Sequence, residues 1–369
     1  MSTRKLLFIS ILIFSKILFA QDNIKEIEQL LSAEKLKQAN ELIVTALKLD
    51  SNNSKLWFYK GLIIQQKIEI SSPSNIKKQI LDSAFYCYKL AEKYDTKRIL
   101  ESLLAESLLS ISQQYAFTGM ELFNNKEYTE ALNVFEKCIS ISKSTIVNHL
   151  DTMAFYSAAM AAEEAKIYPK AEYYYSEIVK FYPLDWNSII ALANIYKLQG
   201  EKDLYLKLLK QNNRKYPEIE IFYKELVGYY LEVQNTDSAM LYLDKVLRIS
   251  NNDKLLYLKG SVLQNENNIE AAKLAYYKCL EINPRNADVL YNLAAIEYNR
   301  ALDLVNKEKL TSKEKKELKQ YLHKSVEYLV LIKTLEPNNK NILLMLNTCY
   351  HQLGMKVEEK EITKELERF

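Results

Sequence analysis

Proline recurs at helix-breaking places with a nearly constant step, and that step constrains the fold more than any other feature. Pro183 and Pro217 stand 34 residues apart. Pro284 follows after 67 residues, close to two steps, and Pro337 after 53, one step and nineteen more. Twelve places before these prolines stand Ala171, Tyr205, Ala272 and Ser325, and four places after those stand Tyr175, Leu209, Tyr276 and Leu329. The stretch Asn268 to Tyr298 shows what the step encodes. Ala272, Tyr276 and Cys279 share a helical face, with Leu280 beside them. Pro284 cannot continue that helix, because it lacks an N–H and disfavours helical geometry in the residue before it. Asn286 and Asp288 can accept from the free N–H groups of a second helix. Leu290, Leu293, Ala294 and Tyr298 then repeat the apolar stripe at helical spacing.

The first helix of each pair has its own pattern. Trp57, Lys60, Gly61 and Ile64 follow W-x2-L-G-x2-Y in outline. So do Tyr115, Thr118, Gly119 and Leu122, and Leu256, Lys259, Gly260 and Leu263. A small residue recurs in the second helix at Ala131, Ala171, Ala239 and Ala272. With these motifs the chain resembles the tetratricopeptide repeat family, over nearly all of 22–369. The resemblance implies an all-α, right-handed superhelical solenoid of about nine helix–turn–helix units. A small residue at each helix crossing permits close approach, and larger apolar residues one turn away fill the space between hairpins. One hairpin cannot bury its stripe alone, so neighbours must stack. Only six glycines and six prolines punctuate 369 residues, which suits a nearly all-helical chain.

The expected units are about 22–53, 54–95, 96–145, 146–185, 186–219, 220–253, 254–286, 287–339 and 340–369, together a repeat domain over 21–369. In the first, Ala39, Ile43 and Ala46 take the packing positions. The second has a turn lengthened around SSPSN, 71–75. Ahead of Tyr115, the residues Ile99, Leu100, Leu103, Leu104, Leu108 and Leu109 form an amphipathic stretch that extends the third unit's first helix or makes a separate one. Thr311 and Glu314 match a capping box, so a helix starts near 312. Val357, Ile362 and Leu366 can face the core of a charged terminal helix.

Residues 1–20 read differently. Arg4 and Lys5 precede the apolar run Leu6 to Phe14, and Ala20 is a small residue at a cleavage point. This is the layout of a secretory signal peptide. Lys16 interrupts the run and leaves it short of the ~20 apolar residues of a spanning helix. Export to the periplasm or cell envelope is the expected localisation, without stable membrane insertion after cleavage.

The formal charge is +3, and the first twenty residues carry three basic and no acidic residues, so 47 basic and 47 acidic residues remain beyond them. That balance removes the usual electrostatic case for a nucleic-acid partner. The histidines, His149, His323 and His351, each read as helical and lack a spaced partner. No H-E-x-x-H, G-x-S-x-G or Walker loop occurs, and the glycines stand singly. Cys87, Cys138, Cys279 and Cys349 read as buried free thiols, with Cys138 and Cys279 at the same repeat position. The expectation is therefore no enzyme, no cofactor and no metal, and another protein or peptide as partner. A binding protein for a cell-wall or other small ligand, and an accessory subunit of an envelope enzyme, are the rival readings.

Tyrosine supplies 27 of 41 aromatic residues. Tyr175, Tyr196, Tyr230 and Tyr276 fall at packing positions. In the resembled family one face of each first helix lines a concave groove. Carried over, that face holds Met153, Tyr156 and Met160, then Asn187 and Asn194, then Lys254, Tyr257 and Ser261, then Tyr291 and Tyr298 with Asn292 beside them. Tyr156, Asn194, Tyr257 and Tyr291 have no packing duty on this reading. Tyr, Asn and Met together suit an extended peptide, with flat apolar area and amide hydrogen bonds. One subclass clamps an acidic C-terminal carboxylate. Asn194 and Lys254 fit that pattern, but Ile190, Glu225 and Leu258 stand where it wants Lys, Asn and Arg, which argues against it.

Overall fold

Side-chain caps start the first helix of most hairpins. Asn53 accepts from the Leu56 N–H at 3.3 Å, Asp151 from Ala154 at 3.0 Å, and Asn286 from Val289 at 3.1 Å. Asp185, Asn252 and Asn339 cap their helices in the same way. Each satisfies an N–H group that the helix itself leaves open. Pro183, Pro284 and Pro337 each follow a helix by two residues, where a missing N–H does no harm.

A computed structural model describes residues 23–68 and 72–369. The expected leader, 1–20, lies outside the described residues. Among the described residues, eighteen helices pair into nine hairpins. In unit one, α1 covers 23–32. It is followed by α2 (Leu36–Leu49), α3 (Ser54–Gln65), α4 (Ser74–Tyr94), α5 (Glu101–Asn124), α6 (Tyr128–Ser142), α7 (Thr152–Glu164), α8 (Tyr168–Phe181) and α9 (Trp186–Gln199). The division between units, after Leu208, falls inside α10 (Lys202–Lys215). Unit two continues with α11 (Glu220–Glu232), α12 (Thr236–Ile249), α13 (Asp253–Asn265), α14 (Ile269–Ile282), α15 (Ala287–Val305), α16 (Ser312–Leu335), α17 (Lys340–Leu353) and α18 (Lys356–Leu366).

Within each unit the second helix of a hairpin packs on the first helix of the next, as α6 does on α7 and α16 on α17. The cores are correspondingly continuous. One runs from Phe58 through Tyr115, Phe135 and Phe155 to Ile195. In unit two, Tyr223 to Leu255, Leu256 to Ile296, and Leu290 to Ile362 form three more. Ala39, Ile43 and Ala46 are buried as expected.

Hairpin turns close by one device. Seven of them place a residue in the left-handed region: Glu34, Lys126, Lys166, Gly200, Gln234, Asn267 and Gly354. The next residue's N–H then reaches back five positions, as Ile167 does to the Ala162 carbonyl at 2.8 Å and Asn268 to Leu263 at 2.8 Å. Only two of the seven are glycine, so five carry a side chain where it costs roughly 1–2 kcal/mol.

The glycines at the helix crossings are required by contact. A Cβ on Gly61 would lie 2.6 Å from the Tyr88 ring, on Gly119 2.6 Å from Phe135, and on Gly260 2.3 Å from Tyr276. Each ring is fully or almost fully buried. Elsewhere the same place holds Ala159, Ala193 or Val227. Val227 shares its core with Leu243, so a larger first-helix residue meets a smaller second-helix one.

The stretch ahead of Tyr115 is not a separate helix. It belongs to α5, which runs 24 residues unbroken. Asp95 starts the segment by accepting from the Ile99 N–H at 3.0 Å and the Leu100 N–H at 2.6 Å. Leu104, Leu108 and Ile111 then bury their side chains in the same core as Tyr115. In hairpin eight the capping box of Thr311 and Glu314 is present, and α16 starts at Ser312. Two expectations are corrected. Val357 is 70 % exposed, leaving Ile362 and Leu366 to pack. His149 lies in the connector after α6, its N–H bonded to the Ser142 carbonyl, because Asp151 delays the next helix start.

One charge pair is buried where the repeat wants an apolar side chain. Glu297 is 1 % exposed and pairs with the buried Lys273 of α14. Its Oε2 has no hydrogen-bond partner among the described residues. Equivalent places hold Ile64, Leu122, Tyr230 and Leu263.

Two expected outcomes follow. Gly260→Val should destabilise by about 1–3 kcal/mol through overpacking. Adding Tyr276→Leu should recover part of that, giving a coupling of about 1 kcal/mol or more in a double-mutant cycle read by denaturant melts. Additive single effects would show that the crossing tolerates both side chains. Lys273→Met alone should cost about 3–5 kcal/mol, because it strands the carboxylate, whereas Lys273→Met with Glu297→Leu should be close to neutral. The same melts read this.

Candidate functional site

Helix α7 is built to expose one stripe. Ala154, Phe155, Ala158, Ala159, Ala161 and Ala162 are all buried. Small residues let the neighbouring helices close on that face. Met153, Tyr156 and Met160 are left on the other side, with Met153 71 % exposed and Tyr156 half-buried. Tyr156 does have a packing duty, contrary to the sequence expectation. Its ring stands edge-on to Tyr175 at 6.3 Å, and it lies against the unit-one core.

Met153 and Tyr156 form one wall of an apolar pocket of about 540 Å³. Ile178 and Phe181 at the end of α8, with Tyr182, Pro183 and Leu184 of the turn after it, line the rest. Thr152 and Asp185 are its polar members. Asp185 is already committed, because its carboxylate accepts from the Ser188 hydroxyl at 2.6 Å and caps α9. Nothing in the lining demands an ion. What the pocket offers is carbon surface, with Leu184 64 % exposed at its rim.

The residues Phe181, Tyr182 and Leu184 were not singled out from the sequence. They sit around Pro183, whose helix-ending role was plain. An apolar turn breaks helical periodicity and so leaves no stripe to follow.

The other expected groove residues divide between the two units. On α9, Asn187 is exposed and Asn194 half-buried. In unit two, three of them gather at one hydroxyl. The Tyr276 OH donates to Gln264 Oε1 at 2.8 Å and accepts from Asn292 Nδ2 at 3.1 Å. Ser261 Oγ lies 3.5 Å away, and the Tyr257 ring is tilted against Tyr276 at 6.3 Å. Tyr257 therefore packs too. Lys254 and Tyr291 are exposed, and Tyr298 is half-buried against the Leu290 core.

Buried tyrosine hydroxyls repeat one solution. Tyr88 donates to Gln65 at 2.6 Å, Tyr175 to Glu163 at 2.9 Å, and Tyr276 to Gln264. Those acceptors stand four residues after Gly61, Ala159 and Gly260 on the first helix. Burial pushes all three phenols above their ordinary pKa, so they stay neutral.

The cysteines are all free and buried. Burial pushes Cys87 and Cys349 up to about 11 and Cys138 to about 12, which keeps them as thiols. Cys138 and Cys279 make the same contact, an S–H to the carbonyl 26 residues earlier, at Ser112 and Asp253. Among the described residues, no three His, Cys, Asp or Glu side chains are grouped to hold a metal ion. No helix among them is long and apolar enough to cross a membrane.

Parts of the chain are similar to known proteins. A tetratricopeptide repeat model matches residues 115–145 and 254–286. A TPR repeat-containing protein of Methanocaldococcus jannaschii is 21 % identical over 252 residues, covering 55 % of this chain and 42 % of that protein. The human protein O-mannosyl-transferase TMTC1 is 23 % identical over 221 residues, covering 55 % of this chain and 24 % of that protein. The chain thus spans less than half the length of these curated relatives. Among solved structures, the C-terminal part of a TPR repeat-containing protein from Cytophaga hutchinsonii aligns with a TM-score of 0.46 at 17 % identity, over 67 % of this chain and 92 % of that one. The matched segments cover the second half of α5 with α6, and the α13–α14 hairpin, with their glycines against Phe135 and Tyr276, and the chain carries tetratricopeptide repeats there.

Proposed function

We propose that the chain is an exported, non-enzymatic scaffold that holds a segment of a partner protein along the groove face of its first helices, in the periplasm or cell envelope. The observation that carries this is the apolar pocket beside Met153 and Tyr156. It lies at the end of an exposed stripe that also holds Met160. An extended peptide laid along that stripe would seat one large apolar side chain in the pocket. Methionine adapts to differently shaped partners, and aromatic walls supply contact area at low entropic cost. Arg4, Lys5, the apolar run and Ala20 support export. Sequencing the N-terminus of the protein from its native host should find it starting at or near Gln21, and an intact Met1 on a cytoplasmic protein would overturn that part.

The pocket volume also falls within the range of small-ligand sites, so a small apolar ligand is the second reading. Native mass spectrometry of the purified protein would show such a ligand as an added mass.

For the main reading, a random peptide library is panned against the full chain. Selected sequences should share a large apolar residue. Met153→Ser with Leu184→Ser should weaken their binding at least about tenfold, on the scale of an interface anchor. Both side chains are exposed, so the melting temperature should hold. Peptides without an apolar anchor, or equal binding by the variant, would count against the pocket.

A further inference from the structure

The α15–α16 hairpin carries an arm that the repeat does not need. Helix α16 has 24 residues where α14 has 14. The difference adds roughly 15 Å of helix at 1.5 Å per residue. The extra turns are held by Ala301, Leu318 and Leu322, which belong to one core. Lysine is the commonest residue on their outer surface, and Glu308 is the one exposed glutamate there. Residues 306–324 hold seven lysines and three glutamates. Glu314 is taken by Lys307 and by the capping box, and Glu317 pairs with Lys313. Lys309, Lys315, Lys316 and Lys319 are exposed, with no ion pair among the described residues. Beyond the first twenty residues the chain has as many acidic as basic residues, so this is a positive arm on a balanced chain. Such a chain is turned arm-first by a negative surface.

The chemistry of the patch selects its occupant. Protein interfaces are depleted in lysine and centred on aromatic or arginine anchors. The stretch 306–320 has no aromatic residue and no arginine, and at the base of the arm Tyr321 is half-buried under Arg300, which is itself paired with Glu270. Arginine forks are also what read phosphates and bases in fixed geometry. Flexible, hydrated ammonium groups instead suit a fluid array of headgroup charges, which needs no register. We propose that the α15–α16 arm docks the protein on anionic phospholipid surfaces, with the lysines at the headgroups and no chain inserted.

The test is co-sedimentation of the full chain with vesicles of phosphatidylcholine alone or mixed with phosphatidylglycerol. Binding should require phosphatidylglycerol and fall as salt is raised. K315E/K316E/K319E should weaken it at least about a hundredfold, from roughly 1 kcal/mol per lysine at such a surface. K356E/K360E/K364E changes net charge equally on the exposed side of α18 and should retain binding. Unchanged melting temperatures exclude unfolding. No preference for phosphatidylglycerol, equal loss in both variants, or tighter binding to duplex DNA or an acidic peptide at the same salt would each overturn the proposal.

Discussion

The stack depends on how closely two helices can cross. At three crossings a glycine allows contact so tight that a single methyl group would collide with an aromatic ring of the partner helix. The ring fills what the glycine vacates. When the ring is tyrosine, its buried hydroxyl then needs an acceptor, and Gln65, Glu163 or Gln264 supplies one from the next turn of the first helix. Where the ring is Phe135, the residue in the acceptor's place is Phe123. Three positions thus form one unit of constraint. This accounts for part of the tyrosine excess without invoking a ligand. It also means that the exposed face of the first helices is partly spent on the fold, since the acceptors lie on it.

Much of the fold was legible because its signals are local and periodic. Asn53, Asp151, Asn286 and Asn339 announce helix starts by chemistry that acts over three residues. Pro183, Pro284 and Pro337 mark ends for equally local reasons. The family model matches only two hairpins, yet the same spacing reaches the degenerate first hairpin, where Ala39 and Ile43 are fully buried. What stayed hidden depends on neighbours. The pocket needs Met153 from one helix and Leu184 from a turn that has no periodicity. The Tyr156 and Tyr257 rings looked unengaged because their partners, Tyr175 and Tyr276, lie across the hairpin. Glu297 is polar in sequence and buried in the fold, and only its pairing with Lys273 explains how.

The buried polar groups of the molecule serve its packing. Its thiols are sealed and protonated, and two of them serve as small packing groups with a weak hydrogen bond to a carbonyl of the first helix of their hairpin. The buried Lys273–Glu297 pair is a joint between consecutive hairpins. Such a pair tolerates one arrangement of its helices and resists a shifted one, so it favours a single register at some expense in stability. Surfaces of different character occupy different hairpins: an apolar pocket at α7–α9 and a lysine arm at α15–α16.

The left-handed turns have a consequence for how such a chain can grow. A turn closed by a strained residue and a five-position reach-back bond has one workable length. Inserting residues there would forfeit the bond. The turn 306–311 contains no left-handed residue, and it is the fully described hairpin turn that has lengthened. Once a turn is released from that geometry, both flanking helices can run on by whole turns while the cores on either side keep their 34-residue cadence. Novelty then accumulates at right angles to the stack. The chain can change what it presents to the outside, hairpin by hairpin, with its internal rhythm left intact.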